Sequence, residues 1–181
     1  DLYEMDDINS EFANADATIV VGANDVLNPA ANTAEGTPIY GMPVLNVADC
    51  KNIFIFNYDT KPGYAGVDNP IYAREEGVHL YLGNAAESLQ TFLNDMDKPA
   101  TSTEAPAKRE KKDTFAPSSL LGSKEVIIVP GYGMAIAQAQ HLVKQVADKL
   151  RASGTTIKYA IHPVAGRTPG HMTVLPCAAD V

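Results

Sequence analysis

Short apolar runs alternate along this chain with stretches in which apolar residues recur every three or four positions. The runs are typical of buried strands and lie at 2–5, 17–21, 52–56, 78–82, 126–129 and 156–161. The longer spacing predicts a helix over 85–96 and another that opens directly after Gly131-Tyr132-Gly133 and ends before Gly154. Strands that alternate with helices predict a single α/β domain with a parallel sheet.

Four of the predicted strands are followed by loops rich in Gly, Pro and small polar residues. These loops are Gly22–Asn28, Asn57–Glu76, Gly131–Met134 and His162–Met172. Because parallel strands share one carboxyl edge, and ligands of such sheets bind at that edge, we expect a ligand site where the loops converge.

Composition restricts the class of partner. The 181 residues carry a formal net charge of −8, which argues against a nucleic-acid partner but leaves room for a small anionic cofactor. The two cysteines, Cys50 and Cys177, form neither a disulfide framework nor a metal-ligand spacing. No apolar run is long enough to cross a membrane, so we expect this stretch of chain to be soluble, even if it is part of something larger.

The segment 97–123 differs in character from the rest of the chain. It is rich in Pro, Ala, Ser, Thr and charged residues, which is the composition of a linker. We therefore divide the chain into 1–96, a flexible linker at 97–123, and the glycine-turn unit at 124–181.

The glycine turn after the Val126–Val129 run has two possible roles. A strand, a glycine turn and a helix N-terminus together can present backbone N–H groups to a phosphate. However, Ile136 occupies the third glycine position of the dinucleotide fingerprint, and the next strand ends in His162 rather than in an acidic residue. Nucleotide binding and a purely structural turn both remain open.

Four further side chains each have a possible functional role and a structural alternative. His162 is a potential base or a hydrogen-bonding loop residue, and Arg167 suits a phosphate or carboxylate or a structural role. Asp25 suits a ribose hydroxyl, an amide or an Asx turn. Tyr64, between glycines, suits a mobile lid or an exposed loop. No set of nucleophile, base and orienting residue emerges and no metal site is expected, so the chain has the features of a nucleotide binder more than those of a catalyst.

Five stretches together resemble one known family, and the resemblance covers nearly everything outside the linker. They are VIIVPGYGMAIAQAQ, IHPVAGRTPGHM, IVVGANDVLNPAA, YGMPVLNV and GYAGVDNPIY. They are similar to the NADP(H)-binding domain, the third domain, of proton-translocating nicotinamide nucleotide transhydrogenase.

The resemblance implies a Rossmann-type, doubly wound domain that binds NADP(H) and exchanges hydride with NAD(H) on a separate partner domain. A membrane domain would couple the exchange to proton translocation, which places this domain on the cytoplasmic side of a bacterial membrane or the matrix side of the mitochondrial inner membrane. Hydride transfer between two nicotinamide rings requires proximity and orientation, and no catalytic acid or base is implied.

The resemblance also assigns residues. Asp25 and His162 would lie near the nicotinamide and partner face. The residues implied to bind the cofactor are Gly131, Tyr132, Gly133, Met134, Ala135, His162, Val164, Ala165, Gly166, Arg167, Gly22, Ala23, Asn24, Asp25, Asn57, Tyr58, Asp59 and Lys61, with Gly63, Tyr64, Ala65 and Gly66 as a lid.

The chain departs from the family in two ways. The family begins with the glycine turn, whereas here the second part comes first, as in a circular permutant, natural or engineered, or a rotated numbering. Where the family has Lys-Arg-Ser to grip the 2′-phosphate of NADP, this chain has Asn57-Tyr58-Asp59. Asp59 can accept a hydrogen bond from a free ribose 2′-hydroxyl, which predicts weakened NADP preference and a shift towards NAD(H).

Two other interpretations remain. One is a non-catalytic nucleotide sensor on the same fold, with the linker as a tether. The other is an engineered scaffold that inherits the function of its parent.

Overall fold

The computed structural model describes residues 2–63, 65–74, 76–96, 120–131, 133–134 and 137–161. Within them, one six-stranded sheet forms the centre of the fold, and every neighbouring pair of strands is parallel. The strands are β1 Leu2–Glu4, β2 Ala17–Val21, β3 Ile53–Asn57, β4 Val78–Leu82, β5 Glu125–Pro130 and β6 Thr156–Ile161. The α/β fold class predicted from the sequence is therefore confirmed.

Along the chain, the helices lie between these strands. They are α1 Met5–Ile8, α2 Ala85–Met96 and α3 Gln140–Ala152, with 3₁₀ turns at Phe12–Asn14, Asp25–Leu27, Pro29–Asn32, Val47–Asp49 and Pro70–Ala73. The helix predicted over 85–96 is confirmed, since Leu89, Phe92, Leu93 and Met96 are all buried on its inner side.

The sheet is buried on both faces, which explains why its strands are continuous apolar runs rather than alternating ones. In β2, Ile19 and Val21 belong to the core cluster that includes α2 and α3, whereas Val20 belongs to the cluster on the opposite face. Successive side chains of a strand point to opposite faces, so one run of apolar residues fills two cores.

The order of strands across the sheet is β1-β6-β5-β2-β3-β4. If the strands are counted cyclically from β5, the same order reads 3-2-1-4-5-6, the order of doubly wound dinucleotide-binding folds. In that order the switch point lies between the first and fourth strands, which are β5 and β2 here. This arrangement agrees with the permuted order predicted from the sequence, which stays a prediction.

The parts of the chain before and after the predicted linker are joined by polar contacts as well as by strand pairing. The Asp16 carboxylate accepts hydrogen bonds from the backbone N–H groups of Lys124 and Glu125, at 2.6 and 3.0 Å. Leu120, which falls inside the predicted linker, is buried in the same core cluster as Met96. The remainder of the linker, 97–119, lies outside the described residues.

One predicted helix is interrupted. Helical structure opens at Gly133 and Met134, as predicted, but the long helix α3 begins only at Gln140. The Ala139 N–H bonds to the Met134 carbonyl, five residues back, and Gln138 adopts a positive φ of 52°, so a turn interrupts the helical ladder. The apolar spacing continues through this turn, which is why periodicity alone predicted an uninterrupted helix.

Candidate functional site

The glycine turn packs directly on the segment that follows β2, here called the Gly22–Asp25 segment. Gly133 donates its N–H to the Gly22 carbonyl at 3.0 Å, and Gly131 donates to the Val21 carbonyl at 2.8 Å. A Cβ added at Gly133 would lie 2.8 Å from the Gly22 Cα, and one at Gly131 would overlap the Gly22 carbonyl. Both positions therefore require glycine because two backbones meet there.

This contact also changes which donors are open to a ligand. The N–H of Met134 bonds to the Gly131 carbonyl at 3.1 Å, so the N–H groups of Gly131, Gly133 and Met134 are all used within the protein. A short helical turn starts at Gly133 and Met134, but the long helix α3 begins only at Gln140, so the positive end of the α3 dipole lies several residues beyond the glycine turn. Any phosphate cradle at this turn must use other donors, and the backbones of Tyr132 and Ala135 lie outside the described residues.

The 57–76 connection, the chain between β3 and β4, is held against the Gly22–Asp25 segment. The Asp25 Oδ2 atom accepts a hydrogen bond from the Ala65 N–H at 3.0 Å. A Cβ added at Gly63 would lie 2.6 to 2.7 Å from the Asp25 carboxyl atoms. The predicted lid residues Gly63 and Ala65 thus wrap one carboxylate.

Two Asn-Pro turns strengthen the same junction. Asn28 accepts from the Ala30 N–H and donates to the carbonyls of Val67 and Asp68, at 3.3 and 3.2 Å. Asn69 likewise accepts from the Ile71 N–H and donates to Asn24. Each asparagine caps a 3₁₀ turn with its oxygen and crosslinks two segments with its amide nitrogen.

Asn28, Asn69 and Tyr72 were missed as part of the site by the sequence analysis. The repeated Asn-Pro pair, with Asn at the cap and Pro at the first helical position, is the signal that identifies the two asparagines. No local signal identifies Tyr72, whose hydroxyl lies 2.6 Å from the Asn57 Nδ2 atom.

The three residues of the predicted specificity stretch have different environments. Asn57 is the last residue of β3 and only 8% exposed, whereas the Tyr58 side chain is 80% exposed. The Asp59 carboxylate accepts from the Lys61 N–H at 3.0 Å and lies 4.0 Å from the Lys61 Nζ. Asn24 donates to the Lys61 carbonyl at 2.9 Å, which fixes this turn to the Gly22–Asp25 segment.

Burial dominates the electrostatics next to Asn57. It raises the pKa of Tyr72 to about 12, an effect that the hydrogen bond from Asn57 opposes and the carboxylates of Asp59 and Asp25 reinforce. The phenol therefore stays neutral at any physiological pH and serves as a hydrogen-bonding group.

Two buried oxygen atoms at this edge have no hydrogen-bond partner among the described residues: Asp25 Oδ1 and Asn57 Oδ1. Both atoms are acceptors. The edge therefore has unpaired acceptors next to the Gly22–Asp25 segment, whereas the described N–H donors of the glycine turn are already paired within the protein. Unpaired buried acceptors are costly and indicate a place for a ligand or water donor.

The structure brings most of the described candidates together. Gly22, Ala23, Asn24, Asp25, Asn57, Lys61, Gly63, Ala65, Gly131, Gly133 and Met134 form one connected set of contacts at the carboxyl edge of β2, β3 and β5. Tyr58, Asp59 and Gly66 adjoin it in sequence. Tyr64, Tyr132, Ala135, His162, Val164, Ala165, Gly166 and Arg167 lie outside the described residues.

The described residues also limit other chemistry. They contain no group of three or more His, Cys, Asp or Glu side chains arranged to hold a metal ion. Within the same residues, no helix has the length and apolar character needed to span a membrane.

Comparison with known proteins adds to this geometry. A family model described as NAD(P) transhydrogenase beta subunit matches the chain in two segments, residues 1–95 and 94–181. Two curated relatives, each named NAD(P) transhydrogenase subunit beta and both from Rhodospirillum rubrum, are 61% identical to this chain over 97 residues. That match covers 54% of this chain and 21% of each relative, so the chain spans about a fifth of their length.

Proposed function

The chain belongs to the NAD(P) transhydrogenase beta subunit family, and on that premise we propose that it is the nicotinamide-dinucleotide-binding domain of a proton-translocating transhydrogenase. In this role it holds one cofactor at the carboxyl edge of its sheet. It exchanges hydride with NAD(H) carried by a separate partner domain, and a membrane domain couples the exchange to proton movement. The domain itself lies on the bacterial cytoplasmic or the mitochondrial matrix side.

The observation that carries the proposal is that the two matched segments contribute strands to one sheet. β5 and β6, from the second segment, lie between β1 and β2 of the first. The glycine turn and the Gly22–Asp25 segment therefore meet at the β5–β2 switch point, where doubly wound sheets bind nucleotides. The contacts of Gly131 and Gly133 with Gly22 support a ligand site shared by both segments.

The protein's part in the reaction is to hold the cofactor. The nicotinamide of the bound dinucleotide supplies the hydride chemistry. Asp25 accepts a hydrogen bond from Ala65 of the lid, and on the family resemblance this carboxylate and His162 would face the nicotinamide. The lid would exclude water and keep two rings in a reactive orientation.

The cofactor preference is a separate proposal. NADP(H) is the family's cofactor on the resemblance, yet the Asn57-Tyr58-Asp59 stretch contributes one carboxylate and no cation, and its nearest lysine, Lys61, already faces Asp59. Each missing charge-assisted contact to a phosphate is worth about 1.5–3 kcal/mol. We therefore expect NADP binding weaker than the family's, with NAD(H) accepted in the same site.

A reconstitution experiment tests the proposed function. The 181-residue chain is loaded with reduced cofactor and mixed with an NAD(H)-binding partner domain and an oxidised nicotinamide analogue of distinct absorbance. Hydride exchange that requires both proteins supports the transhydrogenase role. Cofactor binding without exchange would favour the nucleotide-sensor alternative, and absence of dinucleotide binding would overturn both.

A further inference from the structure

The side chain of Asn57 is fixed by two hydrogen bonds from its amide nitrogen. Nδ2 donates to the Ala23 carbonyl at 2.9 Å and to the Tyr72 hydroxyl at 2.6 Å. An amide nitrogen has two hydrogens, so both donors of Asn57 are consumed.

The orientation of this amide follows from its partners. Rotating the side chain by half a turn would place Oδ1 against the Ala23 carbonyl, and two acceptors would then face each other without a hydrogen. Nδ2 must therefore face Ala23, which leaves Oδ1 as the only group that Asn57 can offer to a ligand.

That oxygen is buried and has no donor among the described residues. Asp59 differs, because its carboxylate is more exposed and already accepts from the Lys61 N–H. Of these two acceptors near the end of β3, Asn57 is thus the one whose unpaired oxygen is also shielded from water. A desolvated acceptor gains most from a new donor and is least tolerant of a second acceptor.

We propose that Asn57 is a specificity-determining residue whose Oδ1 accepts a hydrogen bond from the free 2′-hydroxyl of the adenosine ribose, so that the site selects a dinucleotide without a 2′-phosphate. The proposal rests on the proposed function, in which the end of β3 meets this ribose. A hydroxyl carries a hydrogen for the Asn57 oxygen, whereas a phosphate presents only acceptors and a negative charge to it. The oxygen is shielded from solvent, so the site must open locally for the ligand to reach it.

The first test uses the unaltered chain and changes the ligand. Isothermal titration of the 181-residue protein compares NADH, NADPH and 2′-deoxy-NADH. NADH should bind at least about tenfold tighter than either of the others, since one net hydrogen bond of about 1.4 kcal/mol is a tenfold change in affinity. Equal affinity for NADH and 2′-deoxy-NADH, or NADPH binding as tight as NADH, would overturn the inference.

A second test assigns the effect to Asn57. Asn57→Leu removes the acceptor, so the ratio between NADH and 2′-deoxy-NADH should fall to about one. Tyr159→Phe, at a buried tyrosine in β6 that does not contact Asn57 in the described hydrogen bonds, is the control, and the ratio should persist. A ratio of affinities that is unchanged in Asn57→Leu would contradict the role of Asn57. If that variant does not fold, the comparison of ligands with the unaltered chain decides the question.

The outcomes separate the inference from the function on which it rests. Binding of both dinucleotides without discrimination at the 2′ position contradicts the role of Asn57 and leaves the proposed function standing. If the protein binds no nicotinamide dinucleotide, both are wrong.

Discussion

The Asp25 carboxylate and the Ala65 backbone N–H form a 3.0 Å hydrogen bond across 40 positions of sequence. This contact joins the segment after β2 to the predicted lid in the 57–76 connection. Because Asp25 lies only three residues after Gly22, which packs on the glycine turn, one short segment touches both sides of the candidate site. The lid and the glycine turn are therefore structurally connected through it.

Removing the Asp25 carboxylate should loosen the lid. Asp25→Ala leaves the Ala65 N–H without its acceptor, and we expect amide exchange at Ala65 to accelerate about tenfold or more, as for the loss of a hydrogen bond worth 1–3 kcal/mol. Hydrogen exchange read by NMR measures this change. The amide of Ile71, bonded to Asn69, serves as an internal reference and should keep its rate. Asp25→Asn retains an acceptor oxygen, so the Ala65 amide should exchange at an intermediate rate in that variant. An unchanged Ala65 exchange rate in Asp25→Ala would show that the Asp25–Ala65 hydrogen bond does not hold the lid.

The close approach of the glycine turn to Gly22 can be separated from backbone strain. Gly22 and Gly66 share a φ of +68°, but an added Cβ at Gly22 meets the backbone of Gly133 and Met134, whereas one at Gly66 meets nothing within 4 Å. Gly66→Ala should therefore cost only the strain of a left-handed alanine, about 1–2 kcal/mol. Gly22→Ala should lower the free energy of unfolding by about 1–3 kcal/mol more than Gly66→Ala, because its Cβ would overpack the backbone of the glycine turn. Urea unfolding of the two variants gives the difference, and equal losses would contradict the backbone contact.

Two buried tyrosines should respond oppositely to removal of their hydroxyl. Tyr72 accepts from Asn57, so Tyr72→Phe leaves a buried amide donor unpaired and should lower the free energy of unfolding by about 1–3 kcal/mol. The Tyr159 hydroxyl is buried without a hydrogen-bond partner among the described residues, so Tyr159→Phe should be neutral or stabilising at pH 7. Denaturant unfolding measures both, and a larger loss in Tyr159→Phe would reverse the assignment.

An ion triad away from the site predicts alkaline sensitivity. Lys158 Nζ lies 2.8 Å from Glu11 and 2.5 Å from Glu125. The hydrogen bond with Glu11, followed by that with Glu125, raises the pKa of Lys158 above its ordinary value of 10.5. A group whose pKa is raised by folding contributes its full stability below the unfolded pKa and loses it as the pH rises through the folded pKa.

The difference in unfolding free energy between the unaltered chain and Lys158→Met should therefore be constant up to about pH 10 and shrink above it. Denaturant unfolding at pH 7, 9 and 11 tests this. Lys51→Met, at an exposed lysine, is the control and should show a difference near zero at each pH. A Lys158→Met difference that does not shrink at high pH would show that the triad stabilises the fold by packing alone.

The sequence by itself determined the strands, α2 and the parallel sheet, because these depend on local periodicity and on turn residues that act over a few positions. The runs around Val20 and Ile128 are apolar throughout, and that pattern already requires a sheet covered on both faces. It also indicated the edge at which the loops meet, since parallel strands end together.

The tertiary structure decided which polar atoms at that edge are used and which remain. The glycine turn resembled a phosphate cradle in sequence, yet the N–H groups of Gly131 and Gly133 bond to the carbonyls of Val21 and Gly22 at the end of β2. Asn57 was grouped with Tyr58 and Asp59 as a loop residue, yet it is buried between Ala23 and Tyr72. These partners lie many positions away in sequence, and a hydrogen bond is made by whichever group the fold brings within 3 Å, which no local pattern specifies.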